Sequence, residues 1–182
     1  MLETLLGDDV QSSGKYLAEV IYGANDGIVT TFAVVAGVAG AALDPAIVLV
    51  LGAAKLFADG FSMGMSNYLS RRSEQDYRET VDSRSPGQPE ATDGKSAGRT
   101  AAVTFLAFLV AGAAPLLPYL FVIEPLFAAS AAFTVVAFFS VGASRSLVTA
   151  RRWYINGGEM FVIGMAAATV AFVVGDLLKG LA

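Results

Sequence analysis

Five long apolar stretches in a chain of 182 residues predict an all-α integral membrane protein with five transmembrane helices, its N-terminus cytoplasmic and its C-terminus outside. Composition points the same way. Hydrophobic residues make up 55% of the chain and charged residues only 15%, and the mean hydropathy is +0.61, values foreign to an ordinary soluble domain. Basic residues also collect in alternate connections between the stretches, as the positive-inside rule requires of cytoplasmic loops.

The stretches run approximately over residues 17–43, 46–68, 101–122, 126–148 and 160–178, each about the 20 residues that cross a hydrocarbon core as a helix. They form one five-helix membrane domain over residues 1–182, because five such segments leave too little polar sequence to cover them in water. The polar start MLETLLGDDVQSSGK carries acids where a signal peptide has a basic region, so no cleaved leader is expected. Lys15 precedes the first span; Arg71, Arg72, Arg78, Arg84, Lys95 and Arg99 fall between the second and third; Arg145, Arg151 and Arg152 flank the last connection. These define the cytoplasmic side, and the protein is expected in the cell membrane. The other connections, around Asp44-Pro45 and from Pro118 to Pro125, are short and marked by proline.

The one long polar segment is a cytoplasmic linker of approximately residues 71–99. Its first half, 73–81, reads as a helical extension of the second span, with Glu74 and Arg78 spaced i,i+4. Its second half, 83–98, is rich in Pro, Gly, Ser and Asp and reads as a mobile connection. One internal echo is present: Phe61, Ser62, Gly64, Ser66 and Leu69 recur as Phe139, Ser140, Gly142, Ser144 and Leu147. This is either a repeat of the kind transporters use or two helices sharing small-residue packing.

The absences are as informative as the motifs. With no Cys and no His, thiolate and imidazole metal sites are excluded, so any metal must meet oxygen, Met sulfur and water. A net charge of −4 argues against a nucleic-acid partner. No nucleophile–base pair or phosphate loop is recognisable, so an enzyme is not expected, nor a permanently bound cofactor.

Charged side chains inside spans are costly and mark ion paths or paired interiors. Away from the span ends three occur here: Asp26, Lys55 and Asp59. Asp26 lies in the run Tyr22-Gly23-Ala24-Asn25-Asp26-Gly27, whose turn-forming residues predict a loosened helix with carbonyls exposed near the carboxylate. Glu19 stands two turns earlier and Thr30 one turn later, giving a polar stripe. In the second span Lys55, Asp59, Met63 and Asn67 recur every four residues on one face. At about 1.5 Å per residue from the cytoplasmic ends, Asp26, Asp59 and Met63 lie about 14, 16 and 10 Å deep, within one slab. Carboxylates with a thioether suit Fe²⁺ or Mn²⁺ better than Zn²⁺. The plainer alternative makes Met63 core filler and Asp59 only a partner for Lys55.

At these residues the chain resembles the vacuolar iron transporter family. The likeness is carried by GANDGIVTTFAVVAGVAGA from Gly23, by ADGFSMGMSNYLSRRSE from Ala58 and, less specifically, by GGEMFVIGMAAATVAFVVG from Gly157. It implies a five-helix homodimer embedded in lipid, with an ion path at the subunit interface, exchanging divalent iron or manganese from the cytosol for protons. It also implies that Asp26 is a metal and proton carrier and Met63 a metal ligand. Two departures stand out: the linker is too short for the family's cytoplasmic metal-binding domain, as in its short prokaryotic and nodulin-like branch, and Lys55 occupies the place of a glutamate. On the residues themselves, Asp26, Asp59 and Met63 are the candidate metal ligands. Glu19, Asp26, Thr30, Lys55, Asp59 and Asn67 are the candidate path. The alternative is a membrane structural or regulatory protein that keeps the fold without transport.

Overall fold

The computed structural model describes residues 15–84, 94–147 and 151–180. Among them there is no strand, and five helices are long and apolar enough to cross a membrane: Leu17–Gly40, Ala46–Val81, Ala97–Leu120, Leu126–Ser144 and Trp153–Leu178. Helix α1 is Leu17–Gly40 and α2 is Ala46–Arg84; α3 is Ala97–Gly112, followed by a 3-10 turn at Ala114–Leu116 and the short α4 at Leu117–Leu120; α5 is Leu126–Ser144 and α6 is Trp153–Leu178.

Helix α1 is the axle of the bundle. Its most apolar window is 44% buried, against 17% for that of α6, and it packs along α3, α5 and α6. Phe32, Val35 and Ala36 on α1 join Val48 and Leu56 on α2 and Phe108 on α3 in the main core. The parallel packing of α1 with α3 and α6 is close enough to need glycine at the crossing points. A methyl group at Gly27 would lie 2.4 Å from the Phe108 carbonyl oxygen, and one at Gly40 2.3 Å from that of Phe172. Such backbone-to-backbone approach is the usual means of helix association where lipid removes the hydrophobic drive.

The ends of the helices follow from local chemistry. At the end of α1 the Leu43 N–H donates to Val38 O and the Ala42 N–H to Ala39 O, with Ala42 left-handed at φ 54°. This is the hydrogen-bond pattern of a Schellman cap. Asp44 Oδ1 then accepts from the Ala46 N–H at 2.8 Å to open α2. Eighty residues on, the long closing bond and the left-handed residue recur at the junction of α4 and α5. There the Phe121 N–H donates to Leu117 O and the Ile123 N–H to Pro118 O, Val122 is left-handed at φ 53°, and Glu124 accepts from the Leu126 N–H. Helix boundaries keep that offset too, Leu17 with Ala97, Gly40 with Leu120 and Ala46 with Leu126. The small-residue echo read in the sequence has an offset of 78 and so falls two residues out of this register, which leaves it to shared small-residue packing.

Expected boundaries move at several helix ends, and the fourth span closes its α-helix at Ser144 rather than 148. The first helix stops at Gly40 rather than 43, because Ala42 turns left-handed. The third begins at Ala97 rather than 101 and is kinked near its end, where Pro115 and Pro118 lack N–H donors; the freed Pro115 carbonyl accepts from Ser130 Oγ at 2.7 Å. The last begins at Trp153 rather than 160, since Arg152 is extended and the polar run Asn156 to Glu159 is already helical. Helix α2 continues to Arg84 as the extension predicts, and Glu74 pairs with both Arg71 and Arg78. The proline-rich part of the linker, residues 85–93, lies outside the described residues.

Candidate functional site

The run from Tyr22 to Gly27 was expected to loosen the first helix, and it does not. Leu17–Gly40 is one uninterrupted α-helix. Turn propensity is overridden because a spanning backbone must satisfy its own hydrogen bonds, and because the two glycines are used for packing: methyl groups at Gly23 and Gly27 would strike the carbonyl oxygens of Thr104 and Phe108 at 2.5 and 2.4 Å. The Asp26 carbonyl stays inside the helix and also accepts from Thr30 Oγ1 at 2.8 Å. What α1 offers an ion here is the half-buried Asp26 side chain, with no released main-chain oxygen.

On α2 the four-residue periodicity holds. Lys55, Asp59, Met63 and Asn67 are all half-buried, beside the fully buried file of Gly52, Leu56, Gly60 and Gly64 that faces α3. Lys55 Nζ donates to Asp59 Oδ2 in an i,i+4 ion pair. Met63 packs against the main core, which supports its plainer role. Asn67 is engaged as a structural tie: its Nδ2 donates to Thr104 Oγ1 at 2.8 Å, and that hydroxyl donates to the Thr100 carbonyl at 2.9 Å.

Glu19 has partners that the sequence did not reveal. Its carboxylate, 9% exposed, accepts from Lys95 Nζ at 2.9 and 3.3 Å and faces Arg71 at 3.6 Å. Around it the Lys15 ammonium donates to the Gly94 carbonyl at 2.6 Å, and the Ser96 N–H donates to the Tyr16 hydroxyl at 3.3 Å. Residues 94–96 are thus docked on the start of α1. In sequence Lys95 and Arg71 read only as topology markers; 76 residues separate Lys95 from Glu19, and no local spacing could have paired them.

Among the described residues no three acids converge as a ready-made metal cage. Asp26 stands on α1 and Asp59 and Met63 on α2, and an ion meeting any of these side chains would need water or further oxygen atoms to complete its shell.

The chain is 42% identical over 79 residues to a vacuolar iron transporter of Toxoplasma gondii, a match covering 43% of this chain and 26% of that protein. It is 26% identical over 213 positions to vacuolar iron transporter 1 of Oryza sativa, covering 88% and 84% of the two chains. It is 24% identical over 220 positions to vacuolar iron transporter 1 of Arabidopsis thaliana, covering 92% and 88%. The model of the VIT family matches in two pieces, residues 17–92 and 80–176, which meet in the linker and together take in all five spanning helices. The chain belongs to the VIT family.

Proposed function

We propose that this protein is a proton-coupled carrier that moves divalent iron, manganese or both out of the cytosol, and that it works as a homodimer in the cell membrane. The names of its relatives support metal transport as the class of activity. The observation that carries the reading is the charged set Asp26, Lys55 and Asp59, held half-buried inside two spanning helices. Structural helices have no use for such groups in hydrocarbon. In this reading Asp26 and Asp59 bind the ion, Met63 adds a soft ligand, and the carboxylates carry the protons. Glu19 and Thr30 extend the path along α1.

Orientation follows from charge. Arg71, Arg72, Arg78, Lys95, Arg99, Arg145, Arg151 and Arg152 all lie at the end of the bundle where α1 begins, whereas the opposite end has Lys179 among the described residues. The positive-inside rule makes the first end cytoplasmic. The short linker takes the place of any large soluble metal-binding domain, and the meeting of the two family matches at residues 80–92 fits an insertion point there.

The test is flux. Purified protein in liposomes is expected to pass Fe²⁺ or Mn²⁺ down an imposed gradient with counterflow of protons, and Asp26→Asn is expected to abolish flux while leaving the assembly intact, since it removes a charge and a proton site but almost no volume. Wild-type flux in Asp26→Asn removes that residue from the path; no flux of any divalent ion in the wild type favours a structural or regulatory role.

A further inference from the structure

The corner between α5 and α6 lies away from the charged set of α1 and α2 and has two parts that belong to different solvents. Its inner part is an open groove of about 380 Å³ lined by Val135, Val136, Phe139 and Ser140 of α5 and by Gly158 and Phe161 of α6. Its rim is cationic and aromatic. Arg151, Arg152, Trp153, Tyr154 and Ile155 are all exposed, and Arg152 donates to the Tyr154 hydroxyl at 2.7 Å while lying 6.0 Å from that ring. Phe139 joins the two parts. Its ring closes the groove on one side and meets Trp153 edge-on, with centroids 5.5 Å apart.

Charge decides what fits. Glu159 is paired with Arg145 at 3.3 Å and more loosely with Arg151 at 3.8 Å, so one carboxylate stands among three guanidinium groups and the rim keeps an excess of positive charge. Exposed Trp and Tyr beside arginines are the residues that settle at the headgroup level of a bilayer, and basic corners between spanning helices select anionic headgroups. The groove runs inward from that level along two spanning helices, where the neighbouring matter is acyl chain.

We propose that this corner is a binding site for an anionic phospholipid, its phosphate and headgroup held by Arg151 and Arg152 beside Trp153 and Tyr154, and one acyl chain lying in the groove over Gly158. Gly158 is what keeps the groove open. A methyl group there meets nothing within 4 Å, so a larger side chain can fill the space without disturbing the helix pair.

The experiment is native mass spectrometry of the purified full chain, equilibrated in detergent with phosphatidylglycerol or with phosphatidylcholine of the same acyl chains. The wild type is expected to retain phosphatidylglycerol in preference to phosphatidylcholine. Replacing both Arg151 and Arg152 by Gln should cut retention of the anionic lipid about tenfold or more, at the worth usual for basic residues at a membrane surface, and leave the zwitterionic lipid unchanged. Gly158→Leu should lower retention of both lipids while the protein melts no earlier than wild type. Equal retention of the two lipids by the wild type overturns the proposal, as does undiminished retention in Gly158→Leu. A Gly158→Leu protein that loses a second copy of the chain while keeping its lipid assigns the groove to a protein interface and equally overturns it.

Discussion

Gly27→Ala separates packing from flexibility as the reason for glycine beside Asp26. The added methyl would lie 2.4 Å from the Phe108 carbonyl oxygen and 3.1 Å from the Phe108 Cα, whereas ordinary contact begins near 3.4 Å. Both obstacles are backbone, so α1 and α3 must part by about 1 Å, undoing the neighbouring approaches at Gly23 and Gly112 as well. Overpacking of this kind costs about 1 to 3 kcal/mol, with the upper part of that range expected where two backbones collide. Alanine returns about 1 kcal/mol through helix propensity, so the net loss is about 2 kcal/mol. Gly158→Ala is the control, because there the methyl meets open space and only the gain of about 1 kcal/mol remains. The two variants should therefore differ by about 3 kcal/mol, or roughly 6 to 12 °C in melting temperature for a chain of this size. The assay is thermal unfolding of both proteins in the same detergent. Equal melting temperatures would falsify the packing argument and restore a loosened helix as the reason for the glycine.

Three further outcomes are expected. Lys55→Met removes the ammonium paired with Asp59; under the proposed role of Asp59 as an ion ligand, the concentration of divalent ion giving half-maximal flux should fall several-fold, and an unchanged value makes Lys55 an anchor. Glu19→Gln leaves Lys95 and Arg71 without their shared carboxylate and should cost about 3 kcal/mol; Lys95→Gln should cost less because Arg71 remains, and the double variant should cost less than the two singles together, whereas strict additivity in unfolding measurements denies the contact. Ala42→Gly relieves a left-handed alanine at φ 54° and should raise stability by about 1 kcal/mol, read as a higher melting temperature; no gain means the backbone relaxes otherwise.

The sequence made the helices legible because hydrocarbon imposes one length and one hydrogen-bonding solution on any span. It misled where a residue's local habit and its packing duty differ. Asn25, Asp26 and Gly27 read as a turn, yet the partner that holds them helical, Phe108, is distant in sequence. The start of the last helix was missed because Asn156 and Glu159 interrupt the apolar run, although they lie within a helix opened by Arg152. Within the candidate site, the Lys55–Asp59 pair could be read from spacing alone because one helix fixes it. The ties of Asn67 to Thr104 and of Glu19 to Lys95 could not, since they depend on how α1, α2 and α3 meet.

The hairpin that recurs after eighty residues is the same scaffold dressed for two surroundings. Counted from the helix starts, Asp26, Lys55 and Asp59 in the first copy stand where the second has Leu106, Val135 and Phe139. Two of those three apolar residues line the α5–α6 groove. A duplicated framework can thus divide its labour by side chains alone, one copy keeping charge in the membrane while the other sheds it. Freed from that duty, the second copy can drift in its packing residues without touching the charged set, so sequence divergence among relatives should fall more heavily on α5 than on α2. The shared left-handed turn at Ala42 and Val122 meanwhile keeps the two hairpins in step.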